Sequence, residues 1–187
     1  MDLTFDVLKH EYALGGVKIP GVNELLSQVG LKDDSQYQWK AAEEARVRGK
    51  YIHKICESVN KGIPIEVPKE YSPYLLQYEE WLADHGEEVL ISEERMFHQH
   101  YHYAGTIDII TGRNVVIDIK TGAHQRWHAL QLILYGMIVR SWRRVLPELP
   151  ELYLLYLKPD GYEYKEVSWD DQPVCEAAIR IWKWGEK

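Results

Sequence analysis

Two short β-branched runs, Ala104 to Ile110 and Val115 to Lys120, flank the polar turn Thr111-Gly112-Arg113-Asn114. Each run reads as a strand, and so short a turn makes the two antiparallel hairpin partners. Side chains alternate faces along a strand, so Asp118 and Lys120 share one face while Ile117 and Ile119 take the other. Asp108 lies about as far before the turn as Asp118 lies after it. The hairpin is therefore expected to bring two carboxylates and one ammonium to nearly the same place.

Acids side by side on a sheet repel. A hard divalent cation relieves that repulsion, because carboxylate oxygens are the ligands Mg²⁺ and Mn²⁺ prefer. An adjacent lysine then orients a bound water or stabilises charge on an attacked phosphate. The bland alternative is an Asp–Lys pair on a solvated strand face. Further along, Gln131 and Tyr135 stand one turn apart on a helix-like run whose core stripe is Leu130, Leu134, Met137 and Ile138. Upstream, Gly49-Lys-Tyr-Ile-His53-Lys-Ile-Cys-Glu57 places His53 and Glu57 on one helix face at an i, i+4 spacing.

In order, these segments resemble the motifs of the PD-(D/E)XK nuclease superfamily, most closely its RecB-type and bacteriophage exonuclease branch. They are Gly-x-x-x-His-x-x-x-Glu, an Asp, Asp118-Ile119-Lys120-Thr121-Gly122, and Gln-x-x-x-Tyr. The resemblance spans roughly residues 20 to 160. It lacks the family's proline before the first Asp, since Thr106-Ile107 precedes Asp108. It implies a restriction-endonuclease-like α/β fold and hydrolysis of DNA phosphodiesters with Mg²⁺ or Mn²⁺. It assigns Asp108, Asp118 and Lys120 to catalysis and the metal to His53, Asp108, Asp118 and the Ile119 carbonyl. Glu57 would orient His53, and Glu93 is a weaker candidate for a third carboxylate. Gln131, Tyr135 and Thr121 would position the DNA strand or Lys120, and Arg46, Arg48 and Lys50 would follow the DNA backbone. Exonucleolytic processing of free ends of single- or double-stranded DNA is the expected activity, with a homo-oligomer possible on family grounds.

A length of 187 residues suits one domain with a real core, and 45% hydrophobic with 12% aromatic content marks it as globular. The whole chain, 1–187, is expected to be a single nuclease domain: a mixed sheet of about four or five strands flanked by helices. The net charge of −7 argues against tight metal-free DNA binding, although a local basic strip and a bound cation would both offset it. The sequence shows no membrane-length apolar run and no basic start of a signal peptide, so the expected compartment is a cytosol. Cys56 and Cys175 are too few for the four-cysteine iron–sulfur cluster that some relatives carry.

Residues 1 to 34 offer an extended piece near Val17 and a short helix from about Asn23 to Gly30, with no visible chemistry. Asp33, Asp34 or Ser35 would cap a long helix reaching about Lys61, a helix that also carries Lys40 and Lys54. A helix from Ser72-Pro73 to Gly86 and a strand from Val89 to Phe97 follow. His98, His100 and His102 alternate; they form either a turn or, in a rival reading, a zinc site. The next helix should run from about His124 to Arg143, with Arg126 at its start and Arg140, Arg143 and Arg144 at its end. Glu151 to Lys158 reads as an interior strand parallel to the Asp118 strand, followed by a returning strand from Tyr162 to Val167. Ser168 would cap a last helix whose Trp169, Trp182 and Trp184 cover the core. A non-catalytic nucleic-acid-binding protein with the same fold is the second rival.

Overall fold

The computed structural model describes residues 2–32, 39–86, 88–142 and 148–185, with backbone alone for 39–42. The expected caps Asp33, Asp34 and Ser35, the side chain of Lys40, and Arg143 and Arg144 lie outside the described residues.

The chain opens with three strands, β1 (Leu3–Asp6), β2 (Glu11–Leu14) and β3 (Val17–Ile19), which pair antiparallel as a small sheet. The sequence offered only an extended piece here, because strands this short carry almost no periodicity. Helix α1 (Val22–Gln28) follows, and the Glu24 carboxylate accepts the Gly21 N–H at 3.4 Å at its start. Helix α2 (Trp39–Asn60) ends before Gly62, whose φ of +62° only glycine adopts freely. Helix α3 (Ser72–His85) begins with Pro73 and stops at Gly86, a left-handed residue whose N–H returns to the Leu82 carbonyl at 3.0 Å.

The main sheet runs in chain order: β4 (Val89–Phe97), β5 (Ala104–Thr111), β6 (Val115–Lys120), β7 (Glu151–Lys158) and β8 (Gly161–Glu166). Neighbours pair antiparallel except β6 and β7, which are parallel and joined through α4 (Trp127–Trp142). The mixed sheet flanked by helices is thus as expected. Helix α4 starts later than the predicted His124, because residues 121–126 form an irregular link.

Ile110, Val116, Leu152 and Leu154 pack with α1, α4 and the final helix α5 (Gln172–Gly185). Ile109, Ile117, Ile119, Leu155 and Leu157 pack instead with Ile52 and Cys56 of α2 and Tyr78 and Trp81 of α3. The sheet is therefore covered on both faces. Helix α4 is buried nearly all round, so Gln131 and Tyr135, which flank its core stripe, are inside at 4% and 6% exposure. Ser168 caps a 3-10 turn at Trp169–Asp171, which leads into α5. Trp169 and Trp182 pack on the core as anticipated, whereas Trp184 is 79% exposed because it falls on the outer side of α5. No helix among the described residues is long and apolar enough to cross a membrane.

Candidate active site

Strands β5 and β6 pair only at Ile109↔Ile117 and Ile110↔Val116, and then part. The side-chain alternation slips at the same place. Ile107 packs in the α4-side core, Ile109 in the α2–α3 core, and Ile110 on the α4 side again. Opposite this slip, between the pairs Ser92↔Ile109 and Glu94↔Ile107, stands Glu93 with a φ of +53°. A non-glycine residue held there inside a strand is strained, and such strain gathers at functional sites. Regular alternation, which underlay the sequence expectation, fails at Asp108. Its carboxylate turns into the seam, and Oδ2 accepts the backbone N–H of Ile119 at 2.7 Å.

The other oxygen of Asp108 faces α2. Oδ1 lies 3.3 Å from His53 Nδ1, which also lies 2.9 Å from Glu93 Oε1. His53, Glu93 and Asp108 form the sole group of three or more clustered metal-ligand side chains among the described residues, their donor atoms all within 4.8 Å of one another. Burial works against an imidazolium here, but Asp108 and Glu93 outweigh it and hold the His53 pKa well above its ordinary value. Asp108 is buried too, yet His53 and Lys120, together with the Ile119 N–H, keep its carboxyl below the usual range. Burial and the neighbouring Asp108 raise Glu93.

Asp118 stands outside that tight group. Its Oδ2 lies 2.6 Å from Lys120 Nζ, a close ionic contact in which the atoms are not aligned as a hydrogen bond. Burial drives its pKa up to about 6; Lys120 opposes the shift and Asp108 adds to it. Lys120 Nζ also donates to Gln131 Oε1 at 2.6 Å. The Gln131 amide donates in turn to Tyr135 Oη at 3.0 Å and to Asn23 Oδ1 at 3.1 Å. Gln131 and Tyr135 therefore fix the lysine from within the core. Asn23 of α1 is a member of this chain that the sequence did not reveal, since the bond joins residues 108 positions apart.

Glu57 was expected to orient His53, but its carboxylate takes Lys61 Nζ at 2.5 Å, and Glu93 holds the imidazole instead. A lysine one turn on competes for that acid and wins. Arg46 is engaged by Glu43, with its Nη2 at 2.5 Å from Oε1. Arg48 donates to the Thr121 carbonyl at 3.3 Å, tying the end of β6 to α2, and its buried Nε has no partner. Lys50 is exposed. A Cβ on Gly49 would sit 3.7 Å from Thr121 Oγ1, an ordinary contact, so nothing inside the fold demands glycine there.

The three histidines of the rival zinc reading do not converge. Residues 98–103 form a turn in which His98 Nδ1 accepts the N–H groups of His100 and Tyr101 at 3.2 and 3.1 Å. Burial pushes this imidazole down to about 4 and keeps it neutral, as an acceptor of two N–H bonds must be.

No family model matches this sequence, and no curated relative does. Among solved structures, the alkaline exonuclease LHK-Exo from Laribacter hongkongensis aligns over 87% of this chain and 84% of its own, with a TM-score of 0.51 and 12% identity. Its complex with dAMP aligns at a TM-score of 0.40 and 14% identity over 86% and 84%. A structure described as SSO0001 aligns over 58% and 56% at 0.37 and 18%. The first likeness carries the fold, a restriction-endonuclease-like mixed sheet with flanking helices.

Proposed function

We propose that this chain is a metal-dependent DNA nuclease of the PD-(D/E)XK type, its residues 1–187 forming one domain that digests DNA from free ends. The observation that carries the reading is the seam between β5 and β6. There Asp108 is grouped with His53 and Glu93, while Asp118 and Lys120 stand at the edge of the neighbouring strand.

The donor set suits Mg²⁺ or Mn²⁺, because it is mostly hard carboxylate oxygen. The upward shifts of Glu93 and Asp118 mark an acid-rich, buried group that a divalent cation relieves. His53, Glu93, Asp108 and Asp118 would hold the ion together with the Ile119 carbonyl. One residue's N–H and C=O face the same strand edge, so that carbonyl points into the seam with the N–H that Asp108 takes. When bound, such an ion lowers the pKa of a coordinated water and offsets charge on the attacked phosphate.

The remaining steps belong to the protein. To act as a ligand His53 would have to be neutral, its Nδ1 proton released to solvent as the ion is taken up. Lys120, with Gln131 fixing its direction, presents an N–H to the attacking oxygen or to the charge that builds on phosphorus. Asp118 beside it sets the amine's place, and as a ligand it would be held ionised by the cation. Arg48 holds Thr121 and thus the end of the Lys120 strand in register with α2.

The test incubates end-labelled single- and double-stranded DNA with Mn²⁺ and the wild type, Lys120→Ala or Asp118→Asn. Metal-dependent loss of the end label is expected for the wild type, and both substitutions should reduce it by at least about 100-fold. Equal rates in all three proteins would remove the assigned site.

A further inference from the structure

Glu93 faces His53 because β4 breaks its own alternation. Ile91 packs on the α4 side of the sheet, and Ser92 turns to the other side, opposite Ile109 of the α2–α3 core. A regular strand would send Glu93 back to the α4 side. Instead, with its φ of +53°, it stays on the α2 side, where Oε1 lies 2.9 Å from His53 Nδ1. Two consecutive side chains therefore meet the same helix. A left-handed backbone at a glutamate persists only where its surroundings over-determine it.

Ser92 supplies that constraint. Its Oγ accepts Asn60 Nδ2 at 3.0 Å, and Asn60 Oδ1 accepts the Tyr78 hydroxyl at 2.6 Å. Tyr78 of α3 and Ser92 are both buried, at 0% and 8% exposure. Buried hydroxyls need partners, and the Asn60 amide gives each of them one. Asn60 is the last residue of α2, two turns beyond His53 and on the same face. Its own place is fixed where the chain leaves the helix, since the Ile63 N–H returns to the Ser58 carbonyl at 2.9 Å across left-handed Gly62. Helix α2 thus grips β4 at two adjacent residues, Ser92 through Asn60 and Glu93 through His53. The Asn60 grip uses no candidate metal-ligand atom, so a cation that takes His53 and Glu93 leaves it intact.

We propose that Asn60 is a positioning residue for the candidate metal group. Backed by Tyr78, it pins Ser92 so that the next residue, Glu93, points its carboxylate at His53 and Asp108. The proposal rests on the nuclease reading for what a cation does there, and not for whether one binds.

Mn²⁺ binding to the DNA-free protein, followed as free Mn²⁺ by electron paramagnetic resonance, tests it. Asn60→Ala and Ser92→Ala should each weaken Mn²⁺ binding about 10-fold. The Mn²⁺ concentration for half-maximal turnover should rise by the same factor, with KM for DNA unchanged. Glu93→Gln should also weaken binding. Adding either alanine to it should weaken binding by less than about 2-fold more, since Asn60 and Ser92 act through that carboxylate. Tyr162→Phe removes another helix-to-sheet hydrogen bond, the one to Asp84, and should bind Mn²⁺ as wild type. Circular dichroism melting shows which variants fold. Should Asn60→Ala unfold, Ser92→Ala decides alone; unfolding of both would overturn the proposal, because the bond would then serve the fold. Unchanged Mn²⁺ affinity in the folded alanine variants would overturn it, as would their full loss in the Glu93→Gln background. Equal loss in the Tyr162→Phe control, or no Mn²⁺ binding by the wild type, would do the same. The two readings fail separately. A wild type that cuts no DNA, yet whose Mn²⁺ affinity falls in the alanine variants, loses only the nuclease reading. An active wild type whose half-maximal Mn²⁺ concentration is the same in both alanine variants loses only the positioning role.

Discussion

Asp108 accepts the backbone N–H of Ile119 at 2.7 Å, so a side chain satisfies the amide that the parting strand leaves free. The same carboxylate reaches His53 through its other oxygen, joining the parted strands to the His53–Glu93 group. Asp108→Ala orphans a buried N–H and is expected to cost about 1–3 kcal/mol in urea denaturation. Asp108→Asn retains an oxygen acceptor and should stay within about 1 kcal/mol of wild type. Added Mn²⁺ should raise the melting temperature of the wild type by mass action and of neither variant. A metal-dependent rise in Asp108→Asn comparable to wild type would take Asp108 out of the ligand set.

Lys120 is held at its far end by Gln131, and Gln131 by Asn23 and Tyr135. Gln131→Leu keeps most of the volume and removes the anchor. Turnover on DNA should fall about 10- to 100-fold with KM and the Mn²⁺ response unchanged. The same chain can be disturbed from β5, because a Cβ at Gly105 would collide with the edge of the Tyr135 ring. Gly105→Ala should therefore also lower turnover. Steady-state kinetics that move KM alone would show that Gln131 serves binding and not Lys120.

His128 is buried, and Nδ1 lies 2.9 Å from Tyr156 Oη and 3.4 Å from the Gln125 N–H. Burial, then Lys120 and His124, pushes its pKa down to about 3 against an ordinary 6.5. Between those values the unfolded chain binds a proton that the folded chain refuses, so stability falls as pH drops through this window. The expected loss from His128 alone is about 2 kcal/mol on going from pH 7 to pH 5. His98, lowered to about 4, acts in the same direction, while the raised His53 acts in the opposite one. Comparison with His128→Asn isolates the one residue. Urea midpoints at the two pH values should move less in the variant, and equal movement would show that His128 is charged in the fold.

Long periodic segments were legible in the sequence because their own residues decide them. Strands β4 and β7 fall on the runs Val89 to Phe97 and Glu151 to Lys158, and α3 is bounded by Pro73 and Gly86. The hairpin, the parallel partner of β6 and the sharing of one face by Asp118 and Lys120 follow from the same local rules. What was hidden depends on distant chain. Strands β1 to β3 are held by pairing with one another and by Tyr12 on Thr106. The left-handed Glu93 and the slip at Asp108 arise where three strands meet, and no local residue type announces them. His53 found its partner on β4 and not one turn away, since Lys61 occupies Glu57.

Gly136 offers a test of packing on α4 that leaves the chemistry aside. A Cβ there would lie 2.7 Å from Trp169 Cη2 and 2.8 Å from Leu152 Cδ2, so the indole closes against bare helix backbone. The Trp169 ring nitrogen donates to the Pro150 carbonyl at 2.9 Å, which prevents the ring from simply backing away. Gly136→Ala improves helix propensity by about 1 kcal/mol. Overpacking of a fixed ring costs about 1–3 kcal/mol, so the net effect is expected to be destabilising. Trp169→Phe removes the ring contact but leaves Leu152, so Gly136→Ala should cost less in that background than in the wild type. Urea denaturation of the four proteins in this cycle measures the coupling, and additive effects would mean that the ring and the helix do not meet as described.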